Sequence, residues 1–551
     1  MPAITLDQER FCKFLGKSLT VEEMVKGLPW LGVEIEEAGS DYVKIEFNPN
    51  RVDFCSYAGV TRAFQGLKGW KTGLPKYVVQ EGKIVLRVDS SVLEVRPFVL
   101  GAVIRDVKLD LELVRELMEI QEDLHWGVGR DRKKSSIGVH NLDRVHPPFT
   151  YTAADPDGVK FVPLDKTEPM SLREILEKHE KGVAYCHLLE WSPKYPLIVD
   201  REQNVLSMPP IINGELTRVT HQTRNLFIDV TGLNYNAVAK SLNILVTALA
   251  DMGGTIEMVR VDYPNRHVFS PDLTPERMKL RVGYANQLLG LKLSDSQAIE
   301  CLRKCRLDAK KLGNGVLEVS VPAYRIDILH EVDLVEEVAI GYGYFMLKPT
   351  KPATVTIGEQ HPACKMANHV RQIMVGLGFA EVMNFTLTNE TFQYEKMRRK
   401  SRETVKLANP ISAEYTVTRE QLLPSLMRNL VDNKHESFPQ RIFEVSDVIK
   451  INRKAETKSE RRLHVAAASS HATANFTETK SYVEALLANL GLRWKIKAAK
   501  NPSFLEGRAA AIHVKNKNIG VLGEVHPEVL NNFELENPVS AFEIDLEEII
   551  K

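Results

Sequence analysis

The run Gly313-Asn-Gly315 is the strongest turn signal in the chain, and it constrains the fold of the residues around it. Asn-Gly between two alternating stretches predicts a tight β-hairpin. The hairpin follows a predicted strand at 278–282 and two short predicted helices at 283–289 and 294–305. Helix, helix and two-stranded wing is the order of a winged-helix module, so the pattern predicts a small module. Such modules often bind nucleic acid, although a fold by itself assigns no function.

The chain is much longer than one such module. Its 551 residues predict roughly three to five domains at about 150 residues each. With 44% hydrophobic residues the chain can bury cores, so its composition excludes a disordered protein. The 72 basic and 72 acidic side chains cancel. Neutrality excludes a protein that is a polycation throughout, but it allows nucleic-acid binding by local patches.

Cysteine usage and the N-terminus indicate an intracellular protein. None of the six cysteines belongs to a CxxC pair, and a chain of this length does not need disulfides, so we predict reduced thiols. The N-terminal residues include acids where a signal peptide is apolar. No apolar run approaches the ~18 residues of a membrane span. The sequence therefore predicts a soluble, cytoplasmic protein with no membrane partner.

An acidic segment supplies the first candidate site. Asp333, Glu336 and Glu337 stand at i, i+3 and i+4, on one face of a predicted helix. Asp327 lies just before that helix. Several carboxylates suit a hard, oxygen-seeking ion such as Mg²⁺. The alternative is an acidic helix face that is simply solvated.

A second candidate site lies between positions 207 and 231. Two prolines fix the backbone at 209–210, and small polar side chains surround carboxylates. That composition suits a pocket that recognises a hydroxyl or amino group by hydrogen bonds. An ordinary strand and turn is the alternative. The predicted pocket residues are Ser207, Asn213, Gly214, Glu215, Asp229 and Thr231.

Basic clusters form a third candidate, for phosphate contact, with solvated faces as the alternative. They lie at 130–134, 396–402, 453–462 and 493–500.

The sequence contains no Walker A loop, GxGxxG, GxSxG or zinc-type Cys/His spacing. Single histidines such as His125 and His140 are assigned no role. The last third alternates helices with strands, one of them predicted at 381–387, and predicts a mostly antiparallel α+β domain.

Several groups of residues, in the right order, resemble one family along essentially the whole chain. They are Asn48-Pro-Asn-Arg51-Val-Asp53, Leu206-Ser-Met-Pro-Pro-Ile-Ile-Asn-Gly214, the stretch 324–344 ending Gly341-Tyr-Gly-Tyr344, and Phe504-Leu-Glu-Gly-Arg508-Ala with Gly520-Val-Leu-Gly-Glu-Val-His-Pro527. The chain resembles the beta subunit of phenylalanyl-tRNA synthetase, in its shorter archaeal and eukaryotic form.

The resemblance implies an α+β multidomain protein. Its expected parts are an N-terminal α/β module at 1–82, an α+β editing domain at 83–270, a winged-helix-like module with the acidic helix at 271–347, and a class II synthetase-like antiparallel-sheet domain without catalytic motifs at 348–551. One check is independent of the resemblance. Class II enzymes hold ATP with an Arg-x-Glu pair on one strand, whereas Arg441 and Glu444 are three apart and should face opposite sides. The Gly-rich segment ending in Arg is also missing.

The resemblance further implies an α2β2 heterotetramer in which the alpha subunit binds ATP and phenylalanine and charges tRNA(Phe). The middle domain would hydrolyse mischarged tyrosyl-tRNA(Phe). Glu215 would accept a hydrogen bond from the tyrosine hydroxyl, Gly214 would leave room, and Ser207, Asn213, Asp229 and Thr231 would orient the ester or a water. The resemblance also associates Mg²⁺ with Asp327, Asp333, Glu336 and Glu337.

Two alternatives stay open. A non-enzymatic scaffold would place tRNA and the alpha subunit and would leave a mischarged ester intact. A self-sufficient class II ligase would exchange ATP and pyrophosphate without a partner, and the spacing of Arg441 and Glu444 argues against it.

Overall fold

The computed structural model describes residues 2–351 and 354–550. The chain divides into two compact units, Met1–Thr350 and Lys351–Lys551. Both units combine sheets with helices, which confirms the predicted α+β multidomain class. The finer division at 82 and 270 stays a prediction. No helix within the described residues is long and apolar enough to cross a bilayer.

The first unit begins with a small antiparallel sheet. Its strands, from edge to edge, are Ala3–Asp7, Tyr42–Glu46 and Glu34–Ala38, and its helices are Gln8–Leu15, Val21–Gly27 and Tyr57–Leu67. Helix Val21–Gly27 begins where the sequence predicts, because Thr20 and Glu23 form a capping box. Thr20 Oγ1 accepts from the backbone N–H of Glu23 at 3.2 Å, and the carboxylate of Glu23 accepts from the backbone N–H of Thr20 at 2.8 Å.

A large mixed sheet forms the body of the first unit. Its strands, from one edge to the other, are Ile212–Asn213, Val205–Met208, Tyr195–Val199, Phe149–Ala154, Val85–Val88, Thr255–Tyr263, Phe98–Arg105, Leu226–Gly232 and Ser135–Asn141, with Val79–Gln80 and Arg266–Ser270 paired to Thr255–Tyr263. Its helices are Leu111–Trp126, Leu172–Lys178, Glu180–Tyr185 and Tyr235–Asp251. Strand Leu226–Gly232 is buried along its whole length, and its register sets Asp229 opposite Gly138. This pairing positions the candidate site.

The winged-helix-like part is the last part of the first unit along the chain. Its strands are Glu276–Arg281, Val316–Val321 and Asp308–Gly313, in that spatial order, and its helices are Val282–Leu289, Asp295–Lys304 and Glu331–Tyr342. The predicted hairpin turn is confirmed: Gly313, Asn314 and Gly315 have φ values of 103°, 53° and 70°. Glycine and asparagine tolerate this left-handed region better than other residues, which is why the turn forms here.

The second unit is a mostly antiparallel sheet with helices on both faces. Its strands, in spatial order, are Ala380–Glu381, Gln440–Ile451, Ser459–Ser470, Val539–Asp545, Lys517–Val525, Phe504–Val514 and Trp494–Ala498, and its helices are Pro362–Gly376, Leu423–Asp432, Phe476–Asn489, Pro527–Asn532 and Glu547–Ile550. The strand predicted at 381–387 is wrong. Between the short strands Ala380–Glu381 and Leu387–Thr388, the amide of Asn384 donates to Glu444 at 2.9 Å, which draws that segment away from a strand path.

Arg441 and Glu444 leave opposite faces of strand Gln440–Ile451, as the two-residue period of a strand requires. Arg441 lies 3.5 Å from Glu478 in helix Phe476–Asn489. Glu444 is buried on the other side, where its carboxylate accepts from Arg419 Nη1 at 2.8 Å. The two side chains therefore do not form a pair on one face of the sheet.

We expect Asp545→Asn to weaken the second unit in a pH-dependent way. Burial raises the pKa of Asp545, but the hydrogen bond from His464 and the charges of His464, Arg462 and Lys450 outweigh it and lower the pKa to about 2. A carboxyl with a depressed pKa stabilises the fold above its unfolded pKa of about 4, and the effect is lost as the pH falls through about 2. The expected loss at pH 7 is about 2 kcal/mol.

Hydrogen exchange of the amides in strand Val539–Asp545 measures this effect in the full chain. The difference between Asp545→Asn and the wild-type protein should shrink toward pH 2. Asp447→Asn is the control: it lies on strand Gln440–Ile451, which strand Ser459–Ser470 separates from Val539–Asp545. Asp447 is more exposed than Asp545, and its nearest cation, Arg461, is 3.4 Å away. A difference that stays constant between pH 7 and pH 2 would contradict the prediction.

Candidate functional site

A cavity of about 480 Å³ lies in the first unit, beside the large sheet. Its walls come from helix Leu111–Trp126, strand Ser135–Asn141, the segment 207–213 and the side chain of Asp229. Apolar, neutral polar and charged side chains line it, among them Leu117, Ile211, His125, Glu122 and Arg132. This mixture is typical of sites that bind a small polar group with an apolar part.

The cavity brings together three of the six predicted pocket residues. Ser207, Asn213 and Asp229 line it. Ser207 and Asn213 face each other across antiparallel strands, and Asn213 Nδ2 donates to the backbone carbonyl of Val139 at 3.3 Å. Of the described residues that line the cavity, none is Gly214, Glu215 or Thr231. The sequence therefore located the wall but not the orientation of each side chain.

Asp229 is held by a buried chain of hydrogen bonds. His140 Nε2 lies 2.7 Å from Asp229 Oδ1, and His140 Nδ1 lies 2.8 Å from Thr217 Oγ1. His140 and Asp229 are almost completely buried. With its Nε2–H donating to the carboxylate, His140 fixes the direction in which Asp229 faces the cavity. The neighbouring strand leaves room for this pair because position 138 is a glycine: a Cβ there would overlap Asp229 Oδ1 and lie 2.7 Å from His140 Nε2.

We expect Gly138→Ala to disrupt the His140–Asp229 pair. The new methyl group must push one of the two side chains aside, and overpacking of this kind destabilises proteins by about 1–3 kcal/mol. Thermal unfolding of the full chain measures the loss. Gly283→Ala is the control, because a Cβ at Gly283, in helix Val282–Leu289, meets nothing within 4 Å. An equal melting temperature for Gly138→Ala and wild type would contradict the prediction.

Thr231 lies behind the wall and holds a buried arginine. Its Oγ1 accepts from Arg96 Nε at 2.9 Å and lies 3.0 Å from Ser136 Oγ, and Ser136 lines the cavity. Arg96 Nη2 donates to the backbone carbonyl of Arg132 at 2.9 Å. Burial lowers the pKa of Arg96 to about 10. Thr231 and Arg96 thus position wall residues rather than touch the cavity contents.

Arg132 is part of the wall, although it belongs to the basic cluster that the sequence offered for phosphate contact. Its Nη1 donates to the backbone carbonyl of Ile211 at 2.9 Å, and its Nη2 donates to Glu122 at 2.7 Å. The guanidinium therefore ties helix Leu111–Trp126 to the segment that follows strand Val205–Met208. Arg132 is buried and does not form a solvated face.

Glu215 is engaged at the rim of the site. Its carboxylate accepts from Arg218 Nε at 2.7 Å, from Arg218 Nη2 at 2.8 Å and from the backbone N–H of Asp165 at 3.1 Å. The hydrogen bonds from Arg218 hold the pKa of Glu215 below its usual value, against the opposing effect of burial. Arg218 and Asp165 line the cavity themselves. Glu215 thus controls the placement of two lining residues.

Two of the four acidic residues predicted to bind Mg²⁺ share an arginine in the winged-helix-like part. Arg325 is buried and donates to Asp327 at 2.8 and 2.6 Å and to Glu337 at 3.1 and 2.6 Å. Its guanidinium therefore supplies positive charge where the sequence predicted a cation.

The other two predicted metal ligands have separate surroundings. Asp333 Oδ2 accepts from the backbone N–H groups of Leu329 and His330, each at 2.7 Å, and so caps helix Glu331–Tyr342. Burial and the like charges of its neighbours raise the pKa of Glu336. Within 2–351 and 354–550, no group of three or more His, Cys, Asp or Glu side chains is arranged to hold a metal ion. The carboxylates have the right chemistry for Mg²⁺, but their arrangement does not fit an ion that they ligate directly, and this site stays a prediction.

Sequence reasoning missed His125, His140, Arg96 and Gly138. A signal for three of them was present. Gly138 and His140 alternate with Ser136 along strand Ser135–Asn141, so the three share one face. His125 shares a helix face with Val114 and Gln121, which also line the cavity. Arg96 carried no local signal, because its partners lie 36 to 135 positions away.

Comparison with known proteins adds independent evidence. Sequence models of three domains match the chain: a B3/4 domain at 124–246, a tRNA synthetase B5 domain at 278–344, and a phenylalanyl tRNA synthetase beta chain CLM domain at 347–546. The cavity residues from His125 to Asp229 fall within the first match. Together these domains define the class: the protein is a subunit of an aminoacyl-tRNA synthetase.

Full-length relatives and a solved structure narrow the class. Phenylalanine–tRNA ligase beta subunits of Methanothrix thermoacetophila and Methanocaldococcus jannaschii are 46% and 44% identical to it, each over 99% of this chain and 100% of theirs. The crystal structure of an N-terminal fragment of the Pyrococcus horikoshii phenylalanyl-tRNA synthetase beta subunit is 38% identical, with a TM-score of 0.60, and covers 62% of this chain and 100% of the fragment. The chain belongs to the family of phenylalanine–tRNA ligase beta subunits.

Proposed function

We propose that this beta subunit works in the cytoplasm in an α2β2 heterotetramer that attaches phenylalanine to tRNA(Phe). The alpha subunit would bind phenylalanine and ATP with its Mg²⁺, and the second unit of this chain would be a copy of a class II catalytic domain without catalytic activity. Arg441 and Glu444 lie on opposite faces of the sheet, which supports the assignment of ATP binding to the alpha subunit and not to the second unit of this chain. The purified chain alone should show no ATP–pyrophosphate exchange, whereas the complex should; exchange by the chain alone would favour a self-sufficient ligase.

The cavity of the first unit is proposed to hydrolyse mischarged tyrosyl-tRNA(Phe). The observation that carries this proposal is a buried carboxylate, Asp229, fixed by His140 at the wall of a cavity whose lining residues also include buried polar atoms without a hydrogen-bond partner among the described residues. A carboxylate oriented in this way can accept a hydrogen bond from a water and take up its proton.

The reaction is a simple ester hydrolysis. The water oxygen bonds to the carbonyl carbon of the aminoacyl ester while Asp229 takes up one water proton. The bond between that carbon and the ribose oxygen then breaks, and the proton passes to the ribose oxygen. The products are tyrosine and a tRNA with a free terminal hydroxyl group, so no cofactor is consumed.

A separate editing site is useful because an apolar pocket rejects an isostere with one added hydroxyl only about 10²-fold. A site that pairs with the hydroxyl would spare the phenylalanyl ester, which would leave buried polar groups unpaired. Glu215 remains the predicted acceptor for this hydroxyl, with Gly214 next to it in the chain, Ser207 and Asn213 in the cavity wall and Thr231 behind that wall. Deacylation at the wild-type rate by a Glu215→Ala complex would remove Glu215 from the proposal.

The second candidate function is a non-enzymatic scaffold. One assay distinguishes it from the proposed hydrolysis. The complex of this chain with its alpha subunit is mixed with tyrosyl-tRNA(Phe) in the absence of ATP, and free tyrosine is followed. The proposed function predicts release well above the rate in buffer. A scaffold would leave the ester at its rate of spontaneous hydrolysis.

A further inference from the structure

The hydrogen bonds of His125 fix which of its ring nitrogens carries a proton. The backbone N–H of Ile137 donates to His125 Nε2 at 2.8 Å, so Nε2 must offer a lone pair. A neutral imidazole carries one proton, which therefore lies on Nδ1. Burial, assisted by the charge of Arg132, lowers the pKa of His125 well below its usual value, so the ring stays neutral.

This Nδ1–H has no hydrogen-bond partner among the described residues, although the atom is buried. Its nearest carboxylate oxygen, Glu122 Oε1, lies 4.0 Å away and accepts from Arg132 instead. His125 lines the cavity. A buried donor without an acceptor is unfavourable unless something else supplies the acceptor, and a bound ligand is one such source.

Two further unpartnered polar atoms belong to the same cavity. They are Arg132 Nε and Ser207 Oγ, both buried, on residues that line it together with His125. The nitrogen of Arg132 is a donor only, and the hydroxyl of Ser207 can donate. The wall thus carries up to three donors with no acceptor among the residues that the structure describes. Such a group of donors can stabilise an oxygen atom on which negative charge develops.

We propose that His125 Nδ1–H donates a hydrogen bond to the carbonyl oxygen of the bound aminoacyl ester, with Arg132 and Ser207 beside it. This inference rests on the proposed editing function. When water adds to the carbonyl carbon, that oxygen gains negative charge, so the hydrogen bond strengthens in the transition state. Asp229 would act on the water, and His125 on the carbonyl oxygen.

Two substitutions test the roles of the two ring nitrogens of His125 separately. The side-chain amide of His125→Asn can place a donor near the position of Nδ1 but does not reach Ile137. The longer side chain of His125→Gln can place an acceptor near the position of Nε2 but loses the Nδ1 donor. The complex with the alpha subunit is assayed for single-turnover release of tyrosine from tyrosyl-tRNA(Phe), and the melting temperature of each variant is recorded.

The proposal predicts that the two variants rank in opposite orders for the rate of tyrosine release and for the melting temperature. His125→Gln should lower the single-turnover rate constant at saturating complex about 10²-fold, with little change in the concentration of complex that gives half of this rate. His125→Asn should stay within about tenfold of wild type. His125→Asn should nevertheless melt at the lower temperature, because Ile137 loses its acceptor. If activity and melting temperature follow the same order, His125 is a structural residue and the inference is overturned. If the wild-type complex does not release tyrosine at all, the proposed function fails and this inference fails with it.

Discussion

Asp229→Asn should slow hydrolysis of tyrosyl-tRNA(Phe) by the complex at least about 10²-fold, the usual range for removal of a general base. Asparagine preserves the shape of the side chain, and its amide oxygen can still accept from His140. It cannot take up the proton of the attacking water. Binding of the tRNA should change little, because Asp229 is buried in the cavity wall and is not part of the outer surface.

Single-turnover deacylation, with aminoacylation of tRNA(Phe) measured in parallel, tests this expectation. Aminoacylation should be unchanged, since the proposed synthetic site lies in the alpha subunit. The control is Asp262→Asn on strand Thr255–Tyr263, where the carboxylate forms an exposed pair with Arg260 at 2.7 Å. Wild-type deacylation by Asp229→Asn would exclude Asp229 from the chemistry, and parallel loss of aminoacylation would indicate a damaged fold.

Arg325→Met should destabilise the winged-helix-like part by about 3–5 kcal/mol, the usual result of breaking a buried ion pair by removing one partner. Arg325 is 1% exposed and its partners Asp327 and Glu337 are 12% and 5% exposed, so both carboxylates would be left with little solvent. Hydrogen exchange of the amides in helix Glu331–Tyr342 measures the loss in the full chain. Arg277→Met is the control, because Arg277 is 69% exposed and lies 3.5 Å from Glu318.

The same exchange experiment tests the predicted Mg²⁺ site. With Arg325 supplying the positive charge, the helix should keep its protection in the presence of a chelator. Loss of protection in the wild-type protein on addition of a chelator would show that a divalent ion organises Asp327, Asp333, Glu336 and Glu337. An Arg325→Met variant as protected as Arg277→Met would contradict the account of the buried cluster.

Local patterns predicted the elements of this fold well. The capping box at Thr20 and the turn at Gly313-Asn-Gly315 are complete within a few residues, so the sequence contains all the groups that form them. The strand predicted at 381–387 was wrong because a distant contact, from Asn384 to Glu444, decides the path of that segment. Propensity alone does not register such a contact.

The site was less predictable for the same reason. Ser207, Asn213 and Asp229 were predicted because small polar residues and carboxylates cluster in that part of the sequence. The role of His140, however, depends on its hydrogen bond with Asp229, which lies 89 positions away. The sequence assigned both Asp327 and Glu337 to one acidic site, and the group that these two carboxylates share in the structure is Arg325. Charge spacing reveals that side chains meet, whereas the identity of the counter-charge depends on which distant or buried group packs between them.

The ratio of hydrolysis rates for two esters tests the central proposal most directly. Tyrosyl-tRNA(Phe) and phenylalanyl-tRNA(Phe) are each mixed with excess complex, and single-turnover release of the amino acid is followed. The proposed editing site predicts rapid release of tyrosine and release of phenylalanine near the rate in buffer. Equal rates for the two esters, or no release of tyrosine above buffer, would contradict it.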